Sequence, residues 1–241
     1  MRLGIVRINN NIMTKIITFT NVLKVDEEFN PKPAINFLPE WYKKINSYVN
    51  NEKKPDGNGK TTATVKKCIP VFDALTAGYL IFSYTDLYVS KKEGHLWYEW
   101  PSTDILTFHT GLETKDYPLS NGMNFPKWVN PWSIKTAPGY SCLFVNPFHR
   151  ESNFTILPGV VDTDVYTAPV NFPFVMNDTE WEGLIPAGTP IAQVIPFKRD
   201  SFKMILGNEY DMQKSQNTIN KVRTRFFDSY KNKFWHRKEY K

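Results

Sequence analysis

The chain has 241 residues, with 30 Lys and Arg against 24 Asp and Glu, a formal net charge of +6. That length suits one large domain, or one domain with appendages. No apolar run reaches a membrane span and residues 1–12 lack the apolar core of a signal peptide. The four histidines and two cysteines show no metal-ligand spacing, which argues against a zinc protein. Cys68 and Cys142 read as two reduced, buried thiols of an intracellular protein. Aromatic residues make up 15% of the chain and there are 17 prolines, a composition that points to many short strands and tight turns.

Met13 reads as an alternative start, with residues 1–12 as an upstream extension. Ile16, Ile17, Phe19, Val22, Leu23 and Val25 predict a strand-like opening over 14–29. Pro39 and Glu40 predict the start of a helix that runs to Val49, with Trp41, Ile45, Tyr48 and Val49 on one face. Residues 50–60, containing Pro55-Asp56-Gly57-Asn58-Gly59, read as a mobile polar loop. Pro70–Thr76 predicts one or two helical turns closed by Gly78, and Tyr79–Val89 an apolar strand run. Lys91-Lys92-Glu93-Gly94 forms a hairpin turn, with His95–Trp100 as the return strand.

Residues 101–132 hold four prolines beside Trp128 and Trp132 and read as an ordered, aromatic-rich insertion. Ser133 to Ser201 is short strands broken by Pro and Gly turns, which predicts a barrel, a sandwich or a jelly-roll-like fold. Glu209–Trp235 reads as one long helix, because Ile219, Val222, Phe226, Tyr230 and Phe234 recur at helical steps. The stretch from Lys221 to Lys241 is strongly basic, with only Asp228 and Glu239 as acids. It is either a solvated face or an attraction for nucleic acid. The chain thus divides into an N-terminal extension over 1–65, a core over 66–205 and a basic amphipathic helix over 206–241.

Four segments occur in one order: Thr76–Ser83, Ala137–Pro147, Gly159–Asp164 and Gly188–Ile195. Each is a turn that launches or closes an apolar strand. Together they resemble the four core motifs of the dUTPase and dCTP-deaminase family. The whole chain also resembles uncharacterised phage-encoded proteins with a segment like Lys66–Tyr79. The resemblance implies a mainly β, β-clip (distorted jelly-roll-like) barrel and a homotrimer with nucleotide sites between subunits. Asp162 matches the acid that orients the attacking water. Asp164 follows Asp162 on the same strand face at i, i+2, Gly159 opens the segment, and Tyr166 offers a ring for the sugar, one position out of register. Gln193 matches the glutamine that contacts phosphate, and Arg150 could clamp a phosphate in bidentate fashion. Mg²⁺ would help neutralise the phosphates.

Three departures stand beside the matches. Leu80 occupies the place of the acid that supports the metal, and leucine offers no oxygen ligand. The second motif's Arg-Ser-Gly is replaced by Phe148-His149-Arg150-Glu151-Ser152. The Gly-rich C-terminal arm of the family gives way to a basic, aromatic helix. Two readings therefore stand. One is a phage protein in the host cytoplasm that binds, and in its active form hydrolyses, a nucleotide. The other is a non-enzymatic structural or interaction protein, such as a virion component, that keeps the fold without the site. The His-x-Asp/Glu pair of a metal oxygenase does not occur.

Overall fold

The computed structural model describes residues 14–53, 62–101, 104–119, 125–223 and 228–241. The expectations for 1–12 and for most of the 50–60 loop lie outside the described residues. The fold is mainly β. Strands are β1 (Thr18–Asn21), β2 (Lys32–Pro33), β3 (Tyr79–Phe82), β4 (Leu87–Lys92), β5 (His95–Glu99), β6 (Leu106–His109) and β7 (Phe125–Trp128). They continue with β8 (Trp132–Lys135), β9 (Tyr140–Val145), β10 (Phe154–Ile156), β11 (Gly159–Val161), β12 (Phe172–Met176), β13 (Gly183–Ile185) and β14 (Pro190–Lys198). Helices are α1 (Glu40–Lys44), α2 (Ile69–Thr76), α3 (Glu209–Arg223) and α4 (Ser229–Lys233).

All described strand pairs are antiparallel. A five-stranded sheet has the order β11-β9-β14-β3-β2, and a four-stranded sheet the order β10-β12-β7-β6. The β4–β5 hairpin carries β13 on its outer edge, and β1 pairs with β8. One apolar core joins these sheets. Ile81, Phe144, Ala192 and Val194 enter it from the five-stranded sheet, and Trp128, Phe154, Ile156, Phe172 and Phe174 from the four-stranded one. Trp128 stacks on Phe174 at 5.1 Å between ring centroids and meets Phe154 at 5.2 Å. Trp128 and Trp132 of the aromatic-rich 101–132 stretch are therefore core residues.

Several turns follow from single residues. Gly78 has φ +66°, and a Cβ there would lie 1.9 Å from the Val194 carbonyl oxygen, so only glycine lets α2 turn tightly into β3 against β14. The β4–β5 hairpin reverses at Glu93 and Gly94, both at positive φ.

Four expectations are corrected. The helix after Pro39 stops at Lys44, because the chain extends at Ile45 to pair Tyr48 with Ala63. The Tyr79–Val89 run is two strands in different sheets, separated by a loop in which Ser83 Oγ donates to the Thr85 carbonyl. The C-terminal helix is not continuous to Trp235. Asp228 sits at φ 58°, a conformation no right-handed helix contains, and its carboxylate pairs with Lys67 at 2.7 Å. Cys142 is buried, but Cys68 is exposed.

Candidate functional site

The Gly159–Asp164 segment begins as β11, whose Val161 lies opposite Cys142 of β9. The strand ends there. Asp162 opens a tight turn in which its carbonyl accepts from the Val165 and Tyr166 amides, at 3.1 and 2.9 Å. Asp162 and Asp164 are thus not alternate positions of one strand, as the i, i+2 spacing predicts, because the backbone spends its hydrogen bonds inside the turn. The one-residue offset of Tyr166 loses its meaning for the same reason. Its ring leaves the turn half exposed.

Thr163, between the two acids, is buried and pins the turn to the body. Its Oγ1 is 2.8 Å from Thr136 Oγ1 and 3.4 Å from Cys142 Sγ, and its carbonyl accepts from the Thr136 amide. Asp164 is almost covered, its side chain 8% exposed, whereas that of Asp162 is 58% exposed. Both are gathered by Arg199, one residue beyond β14. Arg199 Nη1 donates to Asp164 Oδ1 at 2.8 Å and Nη2 donates to Asp164 Oδ2. Nη1 also lies 3.2 Å from Asp162 Oδ1. The Gly139 amide donates to Asp164 at 2.8 Å, and Ser141 Oγ donates to Asp162 Oδ1 at 2.6 Å. Arg199, and then the Gly139 amide, hold the Asp164 carboxyl down at about 2. Asp164 thus fastens the ends of β9 and β14 together, and Asp162 faces outward on that support.

Gln193 and Arg150 lie elsewhere. Gln193 on β14 pairs with Val145, while Ser141 pairs with Phe197. Four residues of β9 separate those positions, about 13 Å along the strand. The Gln193 side chain is buried and bonded on both sides. Its Oε1 accepts from the Phe148 amide at 3.0 Å, and its Nε2 donates to the Ala74 and Ala77 carbonyls at 2.9 and 2.6 Å. This arrangement ties α2 to the loop that carries Arg150.

Arg150 donates through Nη2 to the Phe37 carbonyl, and Trp41 Nε1 donates to the neighbouring His149 carbonyl at 2.8 Å. Its Nε is buried without a partner among the described residues. Burial pulls its pKa below the ordinary guanidinium range, and it makes no ion pair among the described residues. Gly159 begins β11 opposite Phe144, with nothing near the position a Cβ would take.

Within one chain, then, Asp162, Asp164 and Tyr166 cluster at one end of the sheet and Arg150 and Gln193 at the other, and Gly159, in line with Phe144 and Val194, lies toward the Gln193 end. Arg199, Ser141, Gly139 and Thr163 complete the acidic cluster without having been singled out from sequence. Only the Pro138-Gly139 turn carried a readable signal for any of them. Leu80 is fully buried beside Ala34 and Phe82. No group of three or more His, Cys, Asp or Glu among the described residues could hold a metal, and Asp162 and Asp164 are both engaged by Arg199. The described residues thus offer no all-protein cage for Mg²⁺. In the basic C-terminal stretch, Lys238 pairs with Asp73 at 2.5 Å and Lys241 with Glu239 at 3.0 Å, and the Trp235 indole donates to Asp73. No described helix is long and apolar enough to cross a membrane.

No family model matches the sequence, and no curated protein gives a significant match. Among solved structures, a mutant dUTPase from phage phi11 of S. aureus, described for its structural Mg(II) ion, aligns at 13% identity and a TM-score of 0.32, over 69% of this chain and 96% of that one. A mutant dUTPase of Staphylococcus bacteriophage 80alpha with dUpNHpp aligns at 14% identity and a TM-score of 0.29, over 68% and 86%. Both likenesses are distant.

Proposed function

We propose that this chain is a divergent, dUTPase-like β-clip protein of phage type that binds the phosphates of a nucleotide in the host cytoplasm and lacks a complete hydrolytic apparatus. The motif order supports the architecture. Gly78 leads into β3, Gly139 into β9 and Gly188 into β14, the Asp162 turn follows β11, and these four strands are neighbours in one sheet.

The observation that carries the ligand class is Arg150. A half-buried guanidinium with a buried, unpaired Nε and no ion pair among the described residues is an uncompensated charge, and such a charge is costly to keep. A phosphate supplies both the counter-charge and the acceptors. Gln193 serves this site by holding the Phe148 amide, and with it the Arg150 loop. Asp162 presents its outer carboxylate oxygen, and Tyr166 its ring, to a ligand held between copies, because one chain keeps Asp162 and Arg150 apart. A homotrimer meets that need. No step is assigned to a metal.

The test is calorimetric titration with deoxynucleotides, ribonucleotides and cyclic nucleotides, alongside phosphate-release assays. Binding should weaken at least about tenfold in Arg150→Ala, the scale of one charge-assisted contact, and also in Asp162→Ala, without turnover in the wild type. No binding at millimolar ligand would sink this reading. The second reading, a non-enzymatic interaction protein, would then stand, and two observations already favour it. Leu80 replaces an acid, and the side chains of Asp164 and Gln193 are taken up by internal bonds.

A further inference from the structure

The positive charge of this chain is gathered by its fold. Residues 40–53, 62–73 and 228–241 hold ten Lys and Arg against five Asp and Glu, and this excess accounts for nearly all of the formal net charge of +6. The three segments lie against one another. Asp228 pairs with Lys67 of the Val65–Lys67 turn at 2.7 Å, and Asp73 of α2 accepts from the Trp235 indole and pairs with Lys238. The Tyr79 hydroxyl donates to the Lys241 carbonyl at 3.2 Å, so the tail is fixed to its last residue. Lys66 Nζ donates to the Lys43 carbonyl at 2.9 Å and the Tyr42 hydroxyl to the Lys66 carbonyl at 3.2 Å, which fastens the same turn to α1.

The acids of this face are used up within it. Glu40 pairs with Lys43, Asp73 with Lys238, Asp228 with Lys67 and Glu239 with Lys241. Lys44, Lys66, Lys231 and Lys233 make no ion pair among the described residues, and Lys44, Lys231 and Lys233 are exposed. A solvated helix face ordinarily sets acids three or four residues from its lysines, but α4 reads Ser-Tyr-Lys-Asn-Lys and holds none. Crowding like charges in this way costs free energy that a polyanion returns. Beside these lysines stand two open rings. Tyr230 and Phe234 lie one helical turn apart, 43% and 38% exposed, with centroids 6.5 Å from each other. Ammonium groups beside exposed rings match a strand whose phosphates and base faces are both accessible. A duplex hides its base faces and leaves the rings without a partner.

We propose that this face binds single-stranded nucleic acid, with phosphates on Lys44, Lys66, Lys231 and Lys233 and bases against Tyr230 and Phe234. Lysines and rings read no base edge, so binding is tolerant of sequence. The inference does not rest on the nucleotide reading, since none of these residues belongs to the Asp162 cluster or the Arg150 loop.

The experiment titrates the full chain into labelled oligothymidine or oligouridine of about 20 nucleotides and follows fluorescence anisotropy. The two arms tell DNA from RNA, and binding of either supports the proposal. Four neutralised phosphates give a slope of log affinity against log salt of about −3, a loss of roughly fiftyfold between about 50 and 200 mM salt. Lys231→Gln, Lys233→Gln should halve that slope and weaken binding at least about tenfold at about 50 mM salt. Lys115→Gln, Lys135→Gln, the same loss of charge outside this face, should leave the slope unchanged. Tyr230→Leu, Phe234→Leu keeps the apolar bulk of α4 and should weaken single-strand binding at least about fivefold at an unchanged slope. Thermal melts of each variant check that it folds. No binding at about 50 mM salt, a Lys231 and Lys233 variant that binds like the wild type, a leucine variant of unchanged affinity, or a duplex of equal length that binds more tightly than the single strand each overturns the proposal.

Discussion

Replacing Gln193 by methionine keeps the reach of the side chain and removes all three of its hydrogen bonds. The Phe148 amide and the Ala77 carbonyl then face an apolar side chain, while the Ala74 carbonyl still accepts from the Ala77 amide at 3.4 Å. Two part-buried backbone groups left unpaired cost up to about 1–3 kcal/mol each, and part of this is recovered because a thioether is easier to bury than an amide. The expected loss is about 3 kcal/mol, a fall of about 1–1.5 M in the urea midpoint for a slope of about 2–3 kcal/mol/M. Equilibrium urea unfolding followed by tryptophan fluorescence measures it. A loss below about 1 kcal/mol refutes the strut argument, since the amide would then be free to turn toward a ligand.

Other outcomes follow from the same contacts. Gly78→Ala places a Cβ against the Val194 carbonyl at positive φ and should lower stability by at least about 2 kcal/mol in the same assay. Asp164 is held at about 2, below its unfolded value, so its contribution is complete above about pH 4 and is lost as pH falls toward 2. Thermal melts across that window should show the decline, and Asp164→Asn should flatten it. Tyr84 and Tyr98 are pushed up to about 12 by burial. Unfolded tyrosine ionises first, so stability should fall as pH rises from about 10 toward 12, with the part of the phenolate absorbance that belongs to these two buried rings appearing only as the chain unfolds.

What could be read in the sequence was what a few adjacent residues decide. Glu93-Gly94 reverses a hairpin and Gly78 closes α2, because positive φ is a local demand. The alternating apolar residues of β12 likewise report the core they face. What escaped was set by partners far along the chain. Asp228 breaks the C-terminal helix while paired with Lys67, and α1 ends early because Tyr48 pairs with Ala63. The candidate site divides in the same way. The Asp162–Asp164 turn and the glutamine of β14 are visible as types, but the partners of the Gln193 amide sit at Ala74, Ala77 and Phe148, and Arg199 reaches back to Asp164 from beyond the last strand. A side chain's chemistry is written in its identity, and whether that chemistry is spent on the backbone or kept for a ligand depends on the assembled sheet.

The central place of β14 also governs how the chain must be made. β3 and β9 both wait for it as a neighbour, and at ordinary rates of translation β3 is exposed for on the order of 5–20 s before Pro190–Lys198 is synthesised. During that interval Tyr79-Leu80-Ile81-Phe82 is an open apolar edge, the kind of strand that recruits other chains. A polypeptide cut short before Pro190 keeps that edge permanently, so such fragments should aggregate where the full chain folds.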